Sequence, residues 1–194
     1  MKVILASQSP RRQELLKLIF EDFAVMPAEV DESIPENIAA SNAAEYLAVK
    51  KAAAVAGEHT DSLVIGADTI VLNGGEILGK PESEAEAMKM LSALSGHKHS
   101  VITGCAIYFG GRHLSFSECT EVEFLPITES EIKRYVESGE PMDKAGAYGI
   151  QGGAALFVKG IEGDYFNVVG LPVASLNRNI KKFLAICGVS YEKE

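Results

Sequence analysis

The chain opens on an apolar run, Lys2-Val3-Ile4-Leu5-Ala6, that passes at once into Ser7, Ser9 and Pro10 and then into Leu15, Leu16, Ile19 and Phe20 at helical spacing. This order predicts strand, tight turn and helix, with Ser9 as N-cap and Pro10 at the first helical position, where its missing N–H costs nothing. After an acidic loop from Glu29 to Asn37, residues 42–56 are rich in Ala, Leu, Glu and Lys and stop at Gly57. A second helix follows from that composition. Residues 62–72, SLVIGADTIVL, are β-branched and apolar and run into Asn73-Gly74-Gly75. They predict a strand that turns back into a short partner around Glu76 to Leu78.

Ser83 to Leu94 begins with a capping-box pattern and carries Ala87, Met90, Leu91 and Leu94 on one face before Gly96. Between Ser100 and Pro126, two strand-like stretches flank Gly110-Gly111, which predicts a hairpin. Thr128 to Ser138 reads as a capped helix, Gly146 to Gly163 as glycine-punctuated strand and loop, Pro172 to Cys187 as a closing helix, and Tyr191 to Glu194 as a frayed tail. Helices alternate with strands, but the hairpins cannot all be parallel. The expectation is an α/β fold with a mixed parallel/antiparallel sheet flanked by helices.

Composition narrows the function classes. A chain of 194 residues buries about 70% of its unfolded surface, enough for a real core, and no repeat, linker or low-complexity stretch interrupts it. Lys and Arg number 18 against 27 Asp and Glu, a net charge of −9. That balance argues against nucleic acid and against anionic membrane as partners, because both require many cations, yet a small phosphorylated ligand needs only a local positive pocket. Cys105, Cys119 and Cys187 are widely spaced and form neither a disulfide framework nor a zinc knuckle; they read as reduced thiols packed as small apolar groups. The first residues lack a signal-peptide core and no apolar run approaches the ~18 residues of a membrane span. A cytoplasmic protein is expected.

Several residues stand out chemically. Ser7, Arg11 and Arg12 surround the first strand-to-helix turn, where backbone N–H groups and two guanidiniums can meet an anion. Arginine in a first helical turn opposes the helix dipole unless an anion is there; the alternative is a simple Ser9 cap with both arginines in water. Lys51 lies in a helix, and Lys80 sits in Gly79-Lys80-Pro81, a stiff loop after a strand, without P-loop spacing. Asp68 interrupts a buried apolar strand and so needs a cation, a metal or hydrogen-bond donors. If a metal is bound, Mg²⁺ or Mn²⁺ suits its hard oxygens, with Glu32 as a candidate second carboxylate, although Asp31 and Glu32 equally suit a solvated loop. His97 and His99 read as exposed strand-edge residues. In the segment from Asp143 to Gly153, glycines and alanines frame Gln151, which offers both a donor and an acceptor to a base edge. Asn167 reads as a structural turn or cap residue.

The ordered segments LASQSPRRQELL (5–16), GADT (66–69), GKP (79–81), SGHKHSVITG (95–104), DKAGAYGIQG (143–152) and NVVGLP (167–172) together closely resemble the Maf family of nucleoside triphosphate pyrophosphatases. The resemblance spans nearly the whole chain and implies one domain over residues 1–194, two lobes sharing one sheet with a cleft, similar in fold to the inosine triphosphate pyrophosphatases. It implies hydrolysis of a nucleoside triphosphate to the monophosphate and pyrophosphate with a divalent cation. Asp68 matches the family's proton acceptor; Ser7, Arg12, Glu32, Lys51 and Lys80 match the polar set around phosphate and metal. Arg11, Thr69 and Gln151 match the positions that separate branches, and Arg, Thr and Gln there resemble the branch acting on dTTP and UTP. Modified pyrimidine triphosphates, in a house-cleaning role, stay open as substrates, and a homodimer is implied by the resemblance alone. The rival reading is a non-catalytic, nucleotide-binding regulator of septum formation in cell division.

Overall fold

A computed structural model describes residues 1–189, so the tail expected at Tyr191 to Glu194 lies outside the described residues. The elements follow in the order β1 (Val3–Leu5), α1 (Pro10–Leu16), β2 (Ala24–Val25), α2 (Ala43–Ala56), β3 (Leu63–Asn73), β4 (Glu76–Leu78), α3 (Glu84–Leu94), β5 (Lys98–Phe109), β6 (Arg112–Phe124), α4 (Glu129–Glu137), β7 (Val158–Glu162), α5 (Tyr165–Val169) and α6 (Val173–Ile186). The strands are ordered β2-β1-β3-β5-β6-β7, with β4 paired to β3. β1 runs parallel to β2 and β3, whereas β3–β4 and β6–β7 are antiparallel, which is the mixed sheet expected from the sequence. Gly110 and Gly111, at φ 58° and 73°, supply the left-handed pair that a two-residue hairpin turn requires. No helix among the described residues is long and apolar enough to cross a membrane.

The chain divides into two compact units, one formed by residues 1–68, 103–118 and the segment from Gly170 onward, the other by residues 69–102 and 119–169. In the first unit, α2 lies on the strands through a face of small residues. Ala44, Ala48 and Ala52 are fully buried. A Cβ at Gly66 would come within 2.6 Å of the Ala48 carbonyl, and one at Gly104 within 2.3 Å of the Glu45 nitrogen. Glycine inside a strand weakens it, and here it admits a helix at a distance that any side chain would forbid. Ser115 donates to Glu45 at 2.7 Å along the same seam. Helix α6 buries Leu176, Ile180, Phe183 and Leu184, one apolar stripe at helical period.

In the second unit, α3 and α4 bury Leu91, Leu94, Ile132 and Val136 in a core with Phe124, Tyr148 and Phe157. Helix α4 carries a reciprocal capping box between Thr128 and Glu131. Helix α3 has only half of the expected one. Ser83 accepts from the Glu86 N–H, but the Glu86 carboxylate takes the N–H of Glu82, one residue before the cap.

Residues 146–163 are loop and strand as expected, with 3₁₀ turns at Ala145–Ala147 and Gly153–Phe157 added before β7. Other sequence expectations are corrected here. Asn167 is no turn or cap residue but lies inside α5, fully buried, with its Nδ2 donating to the Val101 carbonyl at 2.9 Å and to Thr120 Oγ1 at 3.0 Å. His99 is not an exposed edge residue. It is 2% exposed, with Phe124 and Tyr148 edge-on at 4.9 and 5.4 Å between ring centroids and with Nε2 2.8 Å from the Tyr148 hydroxyl. Those aromatic partners are 25 or more residues away in sequence, which is why no local pattern announced them. Of the thiols, Cys105 is buried as expected while Cys119 is exposed.

Candidate active site

The first unit contains six of the residues singled out from the sequence: Ser7, Arg11, Arg12, Glu32, Lys51 and Asp68. Ser9 caps α1 as expected, but the helix is short and its amides are largely committed: Pro10 has no N–H, and that of Arg12 goes to Ser9 Oγ at 3.4 Å. The positive character of this turn therefore rests on guanidinium more than on backbone. Arg12 Nε donates to the Gly170 carbonyl at 2.9 Å and Nη1 to Ser7 Oγ at 3.2 Å. Ser7 is buried and also accepts from the Ser9 N–H at 3.3 Å. Burial lowers the Arg12 guanidinium from its ordinary value, the charge of Asp68 works against that shift, and Arg11 adds a like charge. Cys105 feels the same field, but burial outweighs Arg12 and pushes its thiol up to about 12, so it stays neutral.

The centre of the arrangement is Lys51. Its ammonium lies 2.6 Å from Asp68 Oδ1 and 2.8 Å from Glu32 Oε1. Lysine and aspartate side chains are each 12% exposed, whereas that of Glu32 is 57% exposed. The anomaly of an aspartate in an apolar strand is thus resolved: Asp68 is paired, and the partner comes from the helix that Gly66 and Gly104 allow onto the strands. The loop bearing Glu32 is pinned next door, where Ser33 N–H donates to Asp31 Oδ1 at 2.9 Å and Lys50 donates to the Asp31 carbonyl. Thr69 follows Asp68 on β3, where alternation turns consecutive side chains to opposite faces.

Lys80 and Gln151 belong to the second unit, both exposed on loops. The loops are tied to each other by the Gly146 N–H donating to the Gly79 carbonyl at 2.9 Å. Gly146 is obligatory there, since its φ is 68° and a Cβ would meet the Val71 side chain at 2.8 to 3.0 Å. Sequence reasoning missed the Gly170 carbonyl that orients Arg12, and also Tyr135 and Glu140, which bind the segment around Gln151. The one available signal was glycine inside strands at 66 and 104.

The donor set suits a hard divalent ion. Two carboxylates converge on one ammonium, so their oxygens already face a common cation position. Among the described residues no group of three or more His, Cys, Asp or Glu is close enough to hold a metal unaided. One or two carboxylates completed by substrate phosphates is the usual magnesium arrangement.

Comparison with known proteins identifies what the chain is similar to. A dTTP/UTP pyrophosphatase of Geobacillus sp. (strain WCH70) is 52% identical over 181 residues, which is 93% of this chain and 97% of that protein. One from Bacillus mycoides (strain KBAB4) is 52% identical over 182 residues, 94% of this chain and 95% of that protein. A solved HAM1 protein from Coxiella burnetii shares the fold, with a TM-score of 0.52 at 17% identity over 94% of this chain and 99% of that one. The family model described as Maf-like protein matches residues 2–183, and with relatives this similar along nearly its whole length the chain belongs to the Maf family.

Proposed function

We propose that the chain is a nucleoside triphosphate pyrophosphatase that converts dTTP and UTP to the monophosphate and pyrophosphate. The observation that carries the reading is the Lys51 ammonium shared by Asp68 and Glu32, with Arg12 held by Ser7 and Gly170 in the same unit. Relatives about half identical to this chain bear that enzyme name, which disfavours a purely regulatory, non-catalytic protein.

In this mechanism the Asp68 carboxylate accepts a proton from a water whose oxygen forms a bond to the α-phosphorus. The bond from that phosphorus to the bridging oxygen breaks, and pyrophosphate leaves. Lys51 orients the carboxylate through Oδ1 and is the nearest ammonium for the phosphoryl oxygens. Arg12, fixed at Nε and Nη1, presents its guanidinium without having to be ordered when substrate arrives, so most of the catalysis is positioning and charge stabilisation. Lys80 is assigned to the same phosphates. Mg²⁺ or Mn²⁺ would be held by Glu32, or by Asp68 where that carboxylate is ligand rather than base, and when bound it would neutralise phosphate charge as a Lewis acid. Arg11, Thr69 and Gln151 are assigned to base selection, Gln151 through the donor and acceptor of its amide. A site committed to such bonds rejects bases that cannot complete them. A cytoplasmic location and a homodimer belong to the same proposal, the latter checked by sedimentation.

The test is pyrophosphate release from a panel of dTTP, UTP, 5-substituted pyrimidine triphosphates, ITP and 7-methyl-GTP, with and without Mg²⁺. Pyrimidine preference with metal dependence is expected. Preference for ITP or 7-methyl-GTP overturns the substrate assignment, and no turnover of any of them overturns the activity.

A further inference from the structure

The segment that carries Gln151 is held by a hydrogen-bonded chain that lies wholly within the second unit. The N–H of Gly149, two residues before Gln151, donates to the Tyr135 hydroxyl at 3.2 Å. That hydroxyl donates to Glu140 Oε1 at 2.9 Å. Glu140 Oε2 accepts the N–H of Gly153, two residues after Gln151, at 3.0 Å. The Gly152 N–H closes the turn onto the Gly149 carbonyl at 3.0 Å. Both flanks of Gln151 are therefore fastened to one phenol–carboxylate pair. The fastening is itself fastened: Tyr135 stands on a buried face of α4, with the Phe157 ring at 5.3 Å, and Lys144 Nζ donates to the Glu140 carbonyl at 2.6 Å. Ile150, just before Gln151, packs against the core. Gly152 leaves room for the carboxylate, since a Cβ there would sit 2.0 Å from Glu140 Oε1.

We infer that Tyr135 and Glu140 are positioning residues for base selection, setting the amide of Gln151 in one orientation before the nucleotide arrives. The inference rests on the reading of Gln151 as the base-contacting residue. A side chain on a loop is a poor discriminator when it has many orientations, because each bond to the base must first offset the ordering of the loop. With Gly149 and Gly153 both anchored, that ordering is already done. The burial that raises the Tyr135 phenol keeps it protonated, and so a donor to Glu140, throughout the working pH range.

The test compares Tyr135→Phe, Glu140→Gln and Gly152→Ala with Gln151→Ala, measuring kcat and KM separately for dTTP and ITP. Phenylalanine removes the hydroxyl at both of its bonds. Glutamine cannot accept from both the phenol and the Gly153 N–H without turning its amide donor toward one of them. Alanine at 152 pushes the carboxylate aside without touching it chemically. All three are expected to raise KM for dTTP about tenfold with kcat altered much less, and to narrow the ratio of dTTP to ITP kcat/KM by a similar factor, on the scale of one or two lost hydrogen bonds. Glu140→Asp, which keeps the acceptors, is expected to recover part of the ratio. Thermal denaturation of each variant separates this from unfolding, which would lower kcat for both nucleotides alike. If Gln151→Ala collapses the ratio while the other three leave it intact, the positioning role is overturned and the base contact stands. If Gln151→Ala itself leaves the ratio unchanged, the reading of Gln151 fails, and the inference with it.

Discussion

At Asp68 the chemistry proposed above and the stability of the fold share one contact, and substitutions can separate the two. Asp68→Asn keeps an oxygen that can accept from Lys51 at the 2.6 Å position, so the fold is expected to survive with little change in thermal midpoint. The amide cannot take a proton from water, and loss of a general base lowers turnover by roughly 10²–10⁴-fold. Lys51→Met does the opposite damage: it leaves two carboxylates facing each other without their cation, the unpaired arrangement that costs about 3 kcal/mol when the groups are buried, less here because Glu32 is half exposed. Steady-state turnover of dTTP and urea unfolding on both variants would check the pair; near-normal turnover by the asparagine variant would remove Asp68 from the mechanism. His99 is a second residue-scale case. Burial is the main cause that lowers its imidazole to about 4 from 6.5, with Glu121 pulling the other way. Between those values the unfolded chain binds a proton that the folded one refuses, so stability is fully present above about pH 6.5 and is lost as the pH falls toward 4. The loss amounts to about 3 kcal/mol across that window. Urea midpoints at pH 7 and 4.5 should diverge in the natural protein and much less in His99→Gln, which retains a partner for the Tyr148 hydroxyl.

At the scale of elements, local chemistry predicts local structure, and long-range contacts escape it. The cap at Ser9, the proline at position 10, the cap at Thr128 and the Gly110-Gly111 turn are legible because each acts within four residues of itself. His99, Asn167 and the 3₁₀ turns before β7 are not, because their partners are Tyr148, Val101 and Thr120, or a core assembled from distant helices. The candidate site divides the same way: Asp68 announces that it needs a partner, but only the packing of α2 reveals Lys51 as that partner. The packing itself is open to test. Gly104→Ala places a methyl 2.3 Å from the Glu45 backbone nitrogen, and backbone of a buried helix cannot yield cheaply. A cost of about 1–3 kcal/mol is expected, with a fall in kcat beyond what stability explains, since an ångström of displacement at Lys51 can cost on the order of 10²-fold. Gly57→Ala is the control, at the end of the same helix with φ −58° and nothing nearer to a new Cβ than a carbonyl at 3.7 Å. It is expected to be neutral or slightly stabilising. Equal behaviour of the two variants would mean that the close approach of α2 does not place Lys51.

For the whole molecule the governing quantity is a net charge of −9 with its cations unevenly spent. Arg11 and Arg12 add like charges to one turn, Lys51 is shared by two carboxylates, and many other lysines are committed in pairs such as Lys17–Glu14 and Lys159–Glu123. A polynucleotide is captured when some 6–10 phosphates are neutralised at once, and its affinity then falls steeply with salt. A triphosphate asks for far less, and the groups around Asp68 can supply it at one place. The expected outcome is therefore selective by length rather than by charge alone. A fluorescent single-stranded oligonucleotide should show no change in anisotropy with the protein even at ~50 mM salt, where such binding is strongest. Excess DNA should likewise leave dTTP turnover unchanged, whereas inorganic tripolyphosphate, which carries the same local charge as the substrate, should compete. Salt-sensitive inhibition by DNA would show that the positive groups form a continuous track rather than a pocket, and would move the anion-binding assignment from one turn and one lysine to the surface at large.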